Sequence, residues 1–146
     1  MGLSRGCMAN ALVKKGYAQS RAEAFDKFLL KGRPAFVRSE NISIAQAVAV
    51  THAAGGIAVL AHPCQIRADK HAAVRAAVRD GIDGIEAFYP GTTEGERTLF
   101  LSLAQQYGLI VTCGSDFHGA NRPAATLGCA FAPTPLLLPV FKRFMT

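Results

Sequence analysis

Three side chains in this 146-residue sequence have the chemistry of metal ligands and stand where an α/β fold would expose them: His62, Asp116 and His118. His62 follows the apolar run Ile57-Ala58-Val59-Leu60-Ala61, and Pro63 fixes the exit of the chain. Asp116 and His118 sit in Gly114-Ser115-Asp116-Phe117-His118-Gly119, whose glycines permit a tight loop after the run Leu109 to Cys113. Imidazole and carboxylate suit Zn, Mn or Fe, with open positions left for water or substrate. Each residue alone has a bland reading, because a His after a strand is commonly a polar loop residue and Asp-x-His is short. Their joint placement at matching strand ends points instead to a metal or catalytic site.

Other residues keep two readings. Glu86, two residues before Phe88, is either a further ligand or a strand residue facing a helix. Tyr89, ahead of Pro90-Gly91, lines a pocket or packs its loop. Arg5, Lys31 and Arg33 stand beside Gly or Pro at segment ends, where a guanidinium fork can reach a phosphate. Lys14, Lys15 and Lys27 read as a solvated helix face. His52 and His71 fall inside helical patterns and read as ordinary surface or core residues.

The elements that must position these groups follow from periodicity. Ser4 to Lys31 reads as helical, with stripes Met8-Ala11-Leu12 and Ala24-Phe25-Phe28-Leu29 broken at Gly16. Ser20 with Glu23 has the form of a capping box, and Ala35-Phe36-Val37 a short extended stretch. From Ser43 the pattern alternates. Helices are expected from Ser43 to Gly55, from Ala72 to Gly81 and, opened by Thr93 and Glu96, on to Gly108. Between them lie strands at Ile57–Ala61, Gly84–Phe88 and Leu109–Cys113, the first apolar enough to be buried on both faces. Such alternation predicts parallel pairing, with functional groups at the carboxyl ends of the strands. The Pro-punctuated tail Pro133 to Pro139 reads as an irregular or edge element.

Composition narrows the function classes. Half the residues are hydrophobic and 18% charged, which excludes a disordered or fibrous chain. The net charge of +6 lies entirely in residues 1–38, where eight Lys and Arg face two acids; residues 39–146 are neutral. No run of apolar residues is long enough to span a membrane, and the N-terminus lacks a secretory apolar core. Cys7, Cys64, Cys113 and Cys129 show no Cys-x-x-Cys pairing and read as free thiols, which predicts a cytoplasmic protein. Gly-rich phosphate loops, a Ser nucleophile elbow and a broad duplex-binding surface are not found.

Gly55 to Pro63, then Gly84 to Pro90, then Gly114 to Gly119 with Leu127-Gly128 resemble the C-terminal half of a PHP-domain metal-dependent phosphoesterase. The branch it resembles comprises the 3′,5′-nucleoside bisphosphate phosphatases and 5′-to-3′ exoribonucleases. Arg5 to Val37 resembles the helical insertion of those enzymes. The resemblance implies a partial distorted (β/α) barrel over residues 39–146, preceded by a basic substrate segment over 1–38. It implies two or three divalent metals (Mn, Fe or Zn) held in part by His62, Asp116 and His118, and a metal-bound hydroxide attacking phosphorus. Asp116 and His118 would be catalytic, and Arg5, Arg33 and Tyr89 would contact a phosphorylated nucleotide or short RNA. The family's opening Asp-x-His-x-His strand has no counterpart in this sequence, and a complete barrel needs about 250 residues. An incomplete site is therefore expected, with a missing N-terminal half or self-association as its partner. The alternatives are a non-catalytic anion- or partner-binding remnant, and a phosphatase for another phosphomonoester such as histidinol phosphate.

Overall fold

The computed structural model describes residues 4–38, 41–119 and 125–144. The chain divides into two compact units, Met1–Asn41 and Ile42–Thr146. The boundary expected after Arg38 abuts residues 39–40, which lie outside the described residues.

In the first unit, Ser4 caps α1 (Arg5–Lys14) by accepting the Cys7 N–H at 3.2 Å. Ser20 caps α2 (Arg21–Ala24), which continues as one π-helical turn, Phe25–Leu29. The expected box is displaced by one residue. Ser20 accepts the Glu23 N–H, but the Glu23 carboxylate takes the Gln19 N–H at 2.6 Å. Ala9, Ala18, Ala24 and Leu29 form the core, and the small side chains let the helices approach closely. Met8, expected in the buried stripe, is 43% exposed, and its neighbour Ala9 faces inward instead. Ala35-Phe36-Val37 forms no strand; the Ala35 N–H closes a turn onto Phe28 O, and no second strand adjoins it among the described residues.

The second unit is built on the alternation seen in the sequence. A complete capping box between Ser43 and Gln46 opens α3 (Ile44–Ala53). Asp69 caps α4 (Lys70–Arg79), and a second complete box, Thr93 with Glu96, opens α5 (Glu94–Tyr107), which Gly108 ends in a left-handed turn. Three strands, β1 (Val59–Leu60), β2 (Gly84–Phe88) and β3 (Ile110–Cys113), pair in parallel in the order β1-β2-β3. Val74, Ile85, Ala87, Phe100, Leu103 and Val111 fuse the sheet to α4 and α5. Gly84 is required at its position because a β-carbon would collide with Ile110 on the neighbouring strand.

Two expectations are corrected here. The run Ile57–Ala61 contributes only two paired residues and is half-buried, since β1 has a neighbour on one side alone among the described residues. The tail is helical rather than irregular: α6 (Thr134–Phe144) carries Pro135 in its first turn, where a missing N–H is harmless, and Pro139 inside. Burying Leu136 against the sheet core offsets the hydrogen bond that Pro139 cannot make. No closed barrel is formed by the described residues; the sheet has three strands.

At the amino ends of the strands, Asp83 acts as a staple. Its Oδ2 accepts the Ala58 N–H at 2.7 Å and meets His52 Nε2 at 2.7 Å, while its backbone bonds both Ala58 and Ile110. One residue thus ties together the amino ends of all three strand segments.

Candidate functional site

The opposite, carboxyl edge of the sheet collects the residues singled out from the sequence. Among the described residues only two other than glycine have positive φ: His62 at 35° and Asp116 at 52°. The first caps the turn after β1, Pro63–Gln65, and the second lies three residues beyond β3. Left-handed backbone at a residue with a β-carbon costs of order 1–3 kcal/mol and concentrates at functional sites. Periodicity cannot reveal it.

Glu86 explains how the His62 turn is held. Its Oε2 accepts the His62 N–H at 2.6 Å, tying the end of β1 to β2. The other oxygen lies against Gly114, where any β-carbon would strike it. Beyond the two readings expected for Glu86, the structure gives it a positioning role: its carboxylate holds the His62 turn and lies against Gly114.

Tyr89 links the two halves of the edge. Its ring meets the His62 ring edge-on, with centroids 5.8 Å apart. Its hydroxyl accepts from Gln65 Nε2 at 2.7 Å and donates to Asp116 Oδ2 at 3.2 Å. His118 Nδ1 lies 2.7 Å from Asp116 O and 3.4 Å from Asp116 Oδ1. A carbonyl only accepts, so Nδ1 donates to it, and in the neutral ring Nε2 is then the lone-pair atom open to a metal or a proton. His118 is 59% exposed and the Asp116 side chain 19%. Sequence reasoning missed Gln65, which one 3₁₀ turn places three residues after His62.

Donor chemistry at this edge suits a divalent metal, but the geometry does not amount to a metal centre. Among the described residues no three His, Cys, Asp or Glu side chains converge to hold an ion. Asp116 and His118 form one contact group, and Tyr89 bridges it to His62. Arg5 and Arg33 belong to the first unit; both are exposed, and Arg33 lies 3.5 Å from Asp26. All four cysteines are free thiols, and no helix among the described residues is long and apolar enough to cross a membrane.

A parallel α/β sheet with imidazole, carboxylate and phenol at its carboxyl edge places these groups where open α/β folds bind their ligands. No protein-family model matches the chain. It is 37% identical over 120 residues to the 5′-3′ exoribonuclease Rnm of Escherichia coli, covering 80% of this chain and 41% of that protein. It is 28% identical over 144 residues to the 3′,5′-nucleoside bisphosphate phosphatase of Chromobacterium violaceum, covering 97% of this chain and 50% of that one. In structure it superposes with a TM-score of 0.79 on a protein of Bifidobacterium adolescentis assigned as a metal-dependent phosphoesterase. That match has 27% identity over 96% of this chain and 50% of the other. By sequence and by fold the chain is similar to these proteins, a likeness consistent with a PHP-type phosphoesterase. It spans about half the length of the relatives it matches.

Proposed function

We propose that this chain forms part of a metal-dependent phosphoesterase site acting on nucleotide or RNA-end phosphates. One observation carries the reading: the two strained residues, His62 and Asp116, cap β1 and β3 on the same sheet edge and are joined through Tyr89. The relatives' names supply the substrate class, a 5′-3′ exoribonuclease and a nucleoside bisphosphate phosphatase. His62, Asp116 and His118 are the proposed donors toward Mn, Fe or Zn, with further donors coming from outside the described residues, in a partial PHP barrel. Tyr89, Arg5 and Arg33 are the proposed contacts to substrate, the arginines through bidentate bonds to phosphate. Four free thiols fit a reducing, cytoplasmic setting. A second reading, an anion-binding fold without turnover, is favoured by the lack of three convergent donors among the described residues.

Elemental analysis for Mn, Fe and Zn, run beside 3′-phosphate release from adenosine 3′,5′-bisphosphate, decides between them. The expected result is substoichiometric metal and slow, metal-dependent release that Asp116→Asn abolishes. Nucleotide binding unchanged by Asp116→Asn, with no release by the unaltered chain, establishes the second reading instead. Full loading with two or three metals and rapid turnover would show that the donor set is complete.

A further inference from the structure

Residues 42–66 hold no Asp, Glu, Lys or Arg, although charged residues make up 18% of the chain. This stretch forms α3 and β1. His52, the one titratable side chain on α3, is engaged by Asp83 at 2.7 Å. The inward face of α3 lines an apolar groove of about 330 Å³ with Ile44, Ala47 and Val48, and Ile57, Val59 and Leu60 form the other wall. Its outward face carries Ala45, Gln46, Ala49 and Val50, all exposed, and Val50 is 68% exposed. Gln46, the polar residue among them, turns back to accept the Ser43 N–H. A helix without a charged face belongs inside a core rather than against water.

The strand beside this helix is open as well. Among the described residues β1 has a strand on one side alone, while β3, at the opposite edge of the sheet, lies against α6. The bonds of β1 show which of its groups are unused. The Ala58 carbonyl accepts the Asp83 and Gly84 N–H groups, the Ala58 N–H donates to Asp83 Oδ2, and the His62 N–H donates to Glu86. Backbone groups alternate along a strand, so those of Val59 and Ala61 face away from β2. Edge strands are normally guarded by a Lys, a Pro or a bulge. Val59 and Leu60 bring none of these. Depletion of charge is, besides, the compositional mark of an interface core.

We propose that the chain self-associates through this face: two copies pair their β1 edges antiparallel across a twofold axis, Val59 beside Val59, with α3 packed on α3 over the joint. Charge and symmetry select a second copy. Each chain carries a net charge of +6, so two copies repel wherever that charge lies, and residues 42–66 bear none of it. An uncharged face gives an acidic or basic partner nothing to recognise. A strand edge that meets its own copy about a twofold is self-complementary, and with β3 against α6 the pairing closes at two chains. With 10 residues α3 is about 15 Å long. Helix, groove and strand edge together match the lower end of stable interfaces, about 600 Å² per partner, and a micromolar dissociation constant is expected. The interface stands without the phosphoesterase reading, since neither α3 nor the open edge of β1 supplies a proposed metal donor.

The test is sedimentation velocity of the full chain from about 1 to 100 µM, a range that brackets a micromolar dimer. The mass should rise from 15.5 kDa toward twice that value. Val50→Lys and Ile42→Glu, at positions exposed in the single chain, should weaken the dimer at least about 10-fold. Phe131→Glu, at an exposed position outside the face, should leave it unchanged. Added salt should not weaken the association, because the face carries no charge to screen. Circular dichroism checks that each variant is folded. Hydrogen exchange on the unaltered chain needs no variant: the Val59 and Ala61 amides should exchange more slowly as the concentration rises. A chain that stays monomeric at the highest concentration would overturn the proposal and leave the face to a different polypeptide. Open-ended aggregation, association that salt abolishes, or a dimer indifferent to both face variants would overturn it equally.

Discussion

At the scale of residues, the edge depends on backbone conformations that side-chain chemistry alone does not reveal. The placement of His62, Asp116 and His118 beyond the carboxyl ends of β1 and β3 was legible in the sequence because they follow apolar runs. The role of Glu86 was not, since a single carboxylate in a strand carries no sign of what it will accept. Its bond to the His62 N–H and its contact with Gly114 give a specific expectation. Gly114→Ala should destabilise the fold by about 1–3 kcal/mol, because the new β-carbon displaces the carboxylate from a bond of that worth. Glu86→Ala should cost a similar amount. In the double variant the two losses should overlap rather than add, giving a coupling of at least about 0.5 kcal/mol by chemical denaturation. Additive losses would show that the carboxylate and the glycine are independent.

At the scale of elements, the N-cap positions at Ser20, Ser43 and Thr93 read true, while the box expected at Ser20 and Glu23 did not close although both of its residues are present. Ser43 with Gln46 and Thr93 with Glu96 open α3 and α5, while Ser20 with Glu23 closes only half of its box. The strands β2 and β3 were legible because their apolar runs end at glycine or a capped helix. The length of β1 and the helicity of the tail were not, because pairing and burial against the sheet, not local preference, decide both. For α5 the box has a pH signature. The Thr93 backbone N–H, then the Thr93 hydroxyl and Lys70, hold the Glu96 carboxyl below its ordinary value of 4.5. A depressed carboxylate contributes stability that is present above 4.5 and lost as pH falls through its folded value. Thermal melts should therefore show wild type losing its advantage over Glu96→Gln as the pH drops below that point. Thr93→Ala should cost about 1 kcal/mol at neutral pH. An advantage of wild type that grows on acidification would contradict the assignment.

At the scale of the whole molecule, charge and chemistry are segregated along the chain. Residues 1–38 carry the whole excess of +6, and every proposed metal donor lies in the neutral remainder. Composition showed that asymmetry at once, and the motifs' likeness to a C-terminal half agrees with the half-length match to the relatives. If Arg5 and Arg33 touch phosphates, their conversion to Gln should lower the salt dependence of binding to a 5′-phosphorylated RNA oligomer. The slope of log K against log salt should fall by about 0.7 for each phosphate that no longer has an arginine beside it. Lys14→Gln with Lys15→Gln should leave the slope nearly unchanged, and equal effects from both pairs would indicate a diffuse cationic surface. The sheet itself is divided in another way. Asp83 gathers backbone and His52 at the amino ends, away from the strained carboxyl edge. A library randomised around His52 and Asp83 would sort variants by expression and melting temperature, and one around His62 and Asp116 by ligand response, so that robustness and new specificity could be selected separately and then combined.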